Sequence, residues 1–129
     1  MSDEPPVGVR VAFGLPSGPA RRLPGGAGSA WRVGDVVLKP DRRRAVASWQ
    51  ADVFAGLAGP GFRVPRPVRA TGGGWVVDGW AAWTAVEGAP DPLGRWPDLV
   101  AAGRDFHAAV AGVPRPRWLG RERNRWAVA

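Results

Sequence analysis

The chain of 129 residues contains no cysteine, a single histidine and a single lysine. Without cysteine there is neither a disulfide framework nor a thiolate metal site. No stretch approaches the ~18 consecutive apolar residues of a spanning helix. The acidic, proline-containing start "MSDEPPVGVR" lacks the apolar core of a secretory signal. The cytoplasm is therefore the expected compartment. The histidine, His107, has no ligand cluster around it in the sequence, and no serine or threonine sits in a nucleophile-elbow motif. A packed or capped structural role is expected for it. No internal repeat is present.

Hydrophobic residues make up 45% of the chain, enough for one real core. The 19 glycines and 14 prolines fall between apolar runs and act as turn punctuation. The net charge of +7 is compatible with nucleic acid or an anionic surface as partner. It is also what arginine-rich coding from a GC-rich genome produces. The only local basic clusters, "DRRR" (41–44) and "RERNR" (121–125), each carry an acid.

Apolar residues 7–15 could be helix or strand. "ARRL", "SAWRV" and "VVLK" read as three strands joined by the turns "PGGAG" and "GD", an antiparallel meander. From Asp41, a candidate N-cap, the spacing of Val46, Trp49, Val53, Phe54 and Leu57 predicts an amphipathic helix stopped by Gly59-Pro60-Gly61. "RVPRPVRAT" returns to extended structure, its prolines favouring an edge. "WVVD" and "WAAWTAV" follow across an Asp78-Gly79 turn. Pro97 and Gly112 bound a second helix lined on one side by Leu99, Gly103, Phe106 and Val110. A further helix start is expected at Asn124, where the apolar pattern breaks off. The expected fold is α+β: an antiparallel sheet of about five strands, one helix inserted after the third strand, then a linker and a second helix. Three segments result: a lead (1–19), the sheet domain (20–88), and a linker with the second helix (89–129).

The residues that carry chemistry sit on the meander. Glycine in a strand-to-strand turn lets backbone N–H groups approach a phosphate, and Gly25, Gly26 and Gly28 have that freedom; the Ser29 hydroxyl adds a donor. Hairpin turns use glycine for purely local reasons as well. Lys39, the lone lysine, ends the third strand beside this hairpin, either as a phosphate-binding cation or as a strand-end lysine reaching for water. No Gly-Lys-Ser/Thr precedes a helix, so the loop is not of the Walker type. The tryptophans read mainly as core. Trp118 and Trp126, flanked by arginines, are the best candidates for stacking on single-stranded nucleic acid.

"PGGAGSAWR…VVLK", "WQADVFAGL…FRVPRPV", "WTAVEG" and "GRDFHAAVAG" together resemble the N-terminal lobe and linker of the aminoglycoside phosphotransferase-like kinases. The resemblance covers residues ~20–112. It implies a kinase-like lobe that binds ATP. Gly26, Gly28 and Ser29 would meet the β- and γ-phosphates, with Gly25 part of the same nucleotide-binding loop, and Lys39 would meet the α- and β-phosphates. Backbone atoms of Thr84, Ala85 and Val86 would meet adenine, with Trp83 setting the depth of the pocket. Gln50 stands where the family has the helix glutamate that positions the lysine. It falls on the inward stripe and can accept a hydrogen bond, but it cannot neutralise Lys39. The family's His-Gly-Asp catalytic loop and its Mg²⁺-binding aspartate have no counterpart here. The chain is therefore expected to be a lobe cut before its catalytic half, binding nucleotide without transferring phosphate. Mg²⁺ and a small-molecule acceptor would require the missing half. Loss of that half is expected to expose an apolar face prone to self-association. The competing class is a non-enzymatic basic module that binds nucleic acid through arginine and tryptophan.

Overall fold

The computed structural model describes residues 3–25, 28–88 and 93–121. In chain order these form α1 (Val7–Ala12), β1 (Arg21–Arg22), β2 (Trp31–Val33), β3 (Val36–Pro40), α2 (Arg44–Ala55), β4 (Pro67–Val68), β5 (Val76–Val77), β6 (Trp80–Thr84), α3 (Trp96–Val110) and a 3₁₀ turn (Arg117–Arg121). The strands make one open antiparallel sheet in the order β1-β2-β3-β6-β4, with β5 paired to β6. The α+β arrangement with a helix after the third strand is as expected. The sixth strand arises because Asp78 and Gly79 both take positive φ (48° and 79°), the geometry of a tight two-residue hairpin. As its prolines suggested, β4 lies at the sheet edge.

Register divides the sheet into two faces. Leu38 stands opposite Ala82, and Val33 opposite Val36. Leu38, Val33 and Ala82 are buried with Val9, Phe13 and Ala70 in one core. Val9 and Phe13 come from α1 and its cap, so the segment expected as a lead covers this face of the sheet. Thr71 fastens it there: its backbone N–H and its hydroxyl both donate to Ala12 O, at 2.8 and 3.1 Å. One residue out of phase with Leu38, Val37 and Lys39 share the opposite face with Ala81 and Trp83.

Part of that second face is covered by α2, which lies against β4 and β5. Its buried residues are Val46, Ala47 and Ala51. The small alanines bring the helix close to the sheet. Trp49 is not on this contact; it meets Trp118 edge-on at 5.5 Å, tying α2 to the C-terminal segment. Asp41 is not the N-cap. Its carboxylate accepts the Arg43 N–H at 2.9 Å two residues on, a local turn that delays the helix until Arg44. At the other end Arg66 caps α2, its Nη1 donating to Phe54 O (3.1 Å) and Leu57 O (2.6 Å).

Helix α3 has no buried residue. It is held through Phe106, which meets Phe54 and Phe62 at 6.3 and 5.8 Å. Trp96, Leu99 and Val100 are exposed, so Leu99 is not part of the packed side. His107 is exposed and lies beside Phe106. The expected helix start at Asn124 lies outside the described residues. No helix among the described residues is long and apolar enough to cross a membrane.

Candidate functional site

The uncovered part of the second face forms an open cavity of about 440 Å³, within the size range of small-molecule sites. Its lining includes Gly25, Gly28, Ser29, Lys39, Trp83, Thr84 and Val86. Residues far apart in sequence thus meet in one hollow, because β3 pairs with both β2 and β6.

The β1–β2 hairpin closes through Leu23 N–H donating to Ala30 O at 2.9 Å. Its tip turns on Gly25 and Gly28, with φ of 90° and 71°, where a side-chain-bearing residue would be strained. Gly26 lies outside the described residues. The turn spends one of the amides expected to face a phosphate: Gly28 N–H donates to Gly25 O at 3.0 Å. Ser29 has no hydrogen-bond partner among the described residues for its amide or its hydroxyl, and the Gly25 N–H has none either.

Lys39 projects beside that tip. Extending the pairing Trp31–Leu38 by one residue sets Ala30 opposite Lys39. The ammonium is exposed and makes no hydrogen bond or ion pair with any described residue. Two residues back along β3, about 6–7 Å away, Val37 stands opposite Trp83. With Leu23 and Ala30 these two provide an apolar lining. The cavity is therefore apolar near the linker and cationic near the hairpin tip, a polarity that suits a flat apolar body bearing an anionic tail.

Trp83 is fixed by Phe54 of α2, whose ring meets it edge-on. Thr84 is fixed from both sides, its N–H donating to Arg66 O at 2.8 Å and its Oγ1 accepting Arg66 N–H at 2.9 Å. Ala85 is not brought to the cavity. Its N–H donates to Asp35 O at 2.8 Å, and it lines a separate hollow with Leu57 and Phe62. The amides of Thr84 and Ala85 are thus already engaged. Val86, next along the linker, lines the cavity with no backbone hydrogen bond among the described residues.

Gln50 is not brought in either. It shares a helix side with Val46 and Ala47, which precede it by four and three residues, yet its side chain is exposed and absent from the cavity lining. The expectation that it would face inward beside Lys39 is corrected. Val46, Ala47 and Ala51 are the buried residues of the helix, and Gln50 shares their side but stays exposed. Asp52, the nearest carboxylate on α2, accepts Trp75 Nε1 at 2.8 Å.

Trp31, Trp49, Trp75 and Trp118 have intramolecular neighbours. Arg22 lies over the Trp31 ring at 5.0 Å and Arg69 over Trp75 at 3.9 Å. Trp118 meets Trp49, and Trp126 lies outside the described residues. Sequence reasoning missed Leu23, Val37 and Pro65 as lining residues. The alternation of "VVLK" places Val37 on the Lys39 face and was the available signal for it. No protein family, curated protein or solved structure matches this chain.

Proposed function

We propose that the chain is the nucleotide-binding lobe of an aminoglycoside phosphotransferase-like kinase and that the cavity holds ATP. The observation that carries this reading is the convergence of Lys39, the glycine hairpin and Trp83 on one hollow. The base would lie against Val37 and Trp83, and the phosphates beside Lys39 and Ser29. The order of elements supports it further: three strands, a helix, more strands of the same sheet, a linker and a helix. The sequence contains no His-Gly-Asp, so the activity assigned to this chain is binding and not phosphoryl transfer.

The test is a titration of ATP against the wild type and Lys39→Ala, followed by tryptophan fluorescence and calorimetry. Saturable binding weakened about tenfold or more by the substitution is expected for a lost charge-assisted phosphate contact. Equal binding by the two proteins would remove Lys39 from the site and the reading with it. Binding to oligonucleotides that falls steeply with salt and ignores Lys39→Ala would favour the basic-module class instead.

A further inference from the structure

Mg²⁺ normally accompanies ATP in kinases, bridging its phosphates while protein carboxylates hold the ion. The residues of this cavity do not fit that ion. Mg²⁺ requires an octahedral oxygen shell, usually anchored by one or two carboxylates. Among the described residues Lys39 is the single charged one lining the cavity, and it is a cation. Among the described residues no three His, Cys, Asp or Glu side chains group as a metal site. The carboxylates closest in sequence to the lining are engaged elsewhere. Asp35 pairs with Arg32 at 3.6 Å, Asp41 with Arg43 at 3.4 Å and Glu87 with Arg32 at 3.4 Å; Asp3, which shares a neighbouring hollow with Gly28 and Ser29, pairs with Arg22 at 3.1 Å. Gln50, where the family would have an acid, is neutral and exposed. Nothing in the lining offsets the Lys39 charge.

From this mismatch we infer that the cavity binds the metal-free nucleotide in preference to its Mg²⁺ complex. The inference rests on the ATP reading and adds to it the charge state of the ligand. Free ATP presents two more negative charges to Lys39 than Mg·ATP does. A carboxylate-lined site would recover that loss by ligating the ion, and no carboxylate among the described residues lines this one. Hydrated Mg²⁺ would instead stand beside an ammonium that repels it.

Affinity for ATP is measured by calorimetry in EDTA and in saturating MgCl₂ at matched ionic strength, for the wild type and Lys39→Ala. The wild type is expected to bind free ATP about tenfold more tightly than Mg·ATP, the size of one to two charge–charge interactions at an exposed site. In Lys39→Ala the ratio is expected to shrink to about twofold or less, leaving only the screened field of the remaining cations. Equal affinities, or tighter binding with Mg²⁺, would overturn the inference and leave the ATP reading standing. A preference for free ATP that survives Lys39→Ala undiminished would also overturn it, because the charge responsible would lie elsewhere. No binding in either buffer would overturn the ATP reading and this inference together.

Discussion

The ring of Phe54 on α2 meets the ring of Trp83 on β6 edge-on, with centroids 5.6 Å apart and planes at 81°. One side of Trp83 therefore belongs to the packing of the helix, while the residue also lines the cavity. Stability and ligand binding share this contact. Phe54→Ala is expected to cost about 2 kcal/mol, below the range for fully buried phenylalanine because the residue is only partly buried. It should also weaken ATP binding by letting Trp83 swing. Urea unfolding and a nucleotide titration on the same variant check both. An unchanged midpoint would show that the ring pair contributes nothing to holding α2.

Leu38 and Lys39 are adjacent in sequence and lie on opposite faces of the sheet. Leu38→Ala should cost about 3 kcal/mol, since the side chain is fully buried among Val9, Phe13 and Val33. Lys39→Ala should stay within about 0.5 kcal/mol of the wild type, as expected for an exposed position with no partner among the described residues. The contrast is read from urea midpoints. Comparable losses at both sites would contradict the division into a core face and a ligand face.

Arg66 links three elements near the linker. Its side chain caps α2 through Phe54 O and Leu57 O, and its backbone exchanges hydrogen bonds with Thr84. Arg66→Ala leaves two helix-end carbonyls without their donor and should cost about 1–3 kcal/mol. Arg66→Lys should recover part of the loss, since an ammonium still reaches a carbonyl but lacks the planar fork. Amide exchange in the last turn of α2, measured beside the unfolding curve, should quicken in the alanine variant. Unaltered exchange there would place the stabilisation elsewhere.

Because the chain has one lysine, amine-directed acylation should modify Lys39 and the α-amino group alone. The ammonium is exposed and unpaired among the described residues, so labelling should be rapid in the free protein. Nucleotide should slow labelling at Lys39, as quantified by mass spectrometry of the peptides. Equal rates with and without nucleotide would mean that Lys39 does not touch the ligand.

Much of the sheet was legible in the sequence because its signals are local. Alternation in "VVLK", glycine at the turns and proline at the edge each act over a few residues, and the strands formed where they pointed. The orientation of α2 was less legible. Trp49, Val53 and Phe54 dominate a hydrophobic pattern, but the face that meets the sheet is chosen by how closely the backbones can approach. That favours Ala47 and Ala51 and leaves Trp49 to meet Trp118. The linker amides illustrate the same limit: Ala85 looked available for a ligand, and a bond to the distant Asp35 carbonyl engages it.

By itself the sequence determined which residues could bear the chemistry: one lysine, a glycine-serine turn and a tryptophan before a linker. It also determined the α+β alternation, since propensity and hydrophobic period are properties of short windows. Only the tertiary structure decided that these residues share a hollow and that Gln50 does not. It alone put Val9 and Phe13 of the first segment beneath the sheet. Those outcomes depend on strand register and on the fit between packed surfaces, where residues many positions apart compete for the same contact and no local signal records the winner.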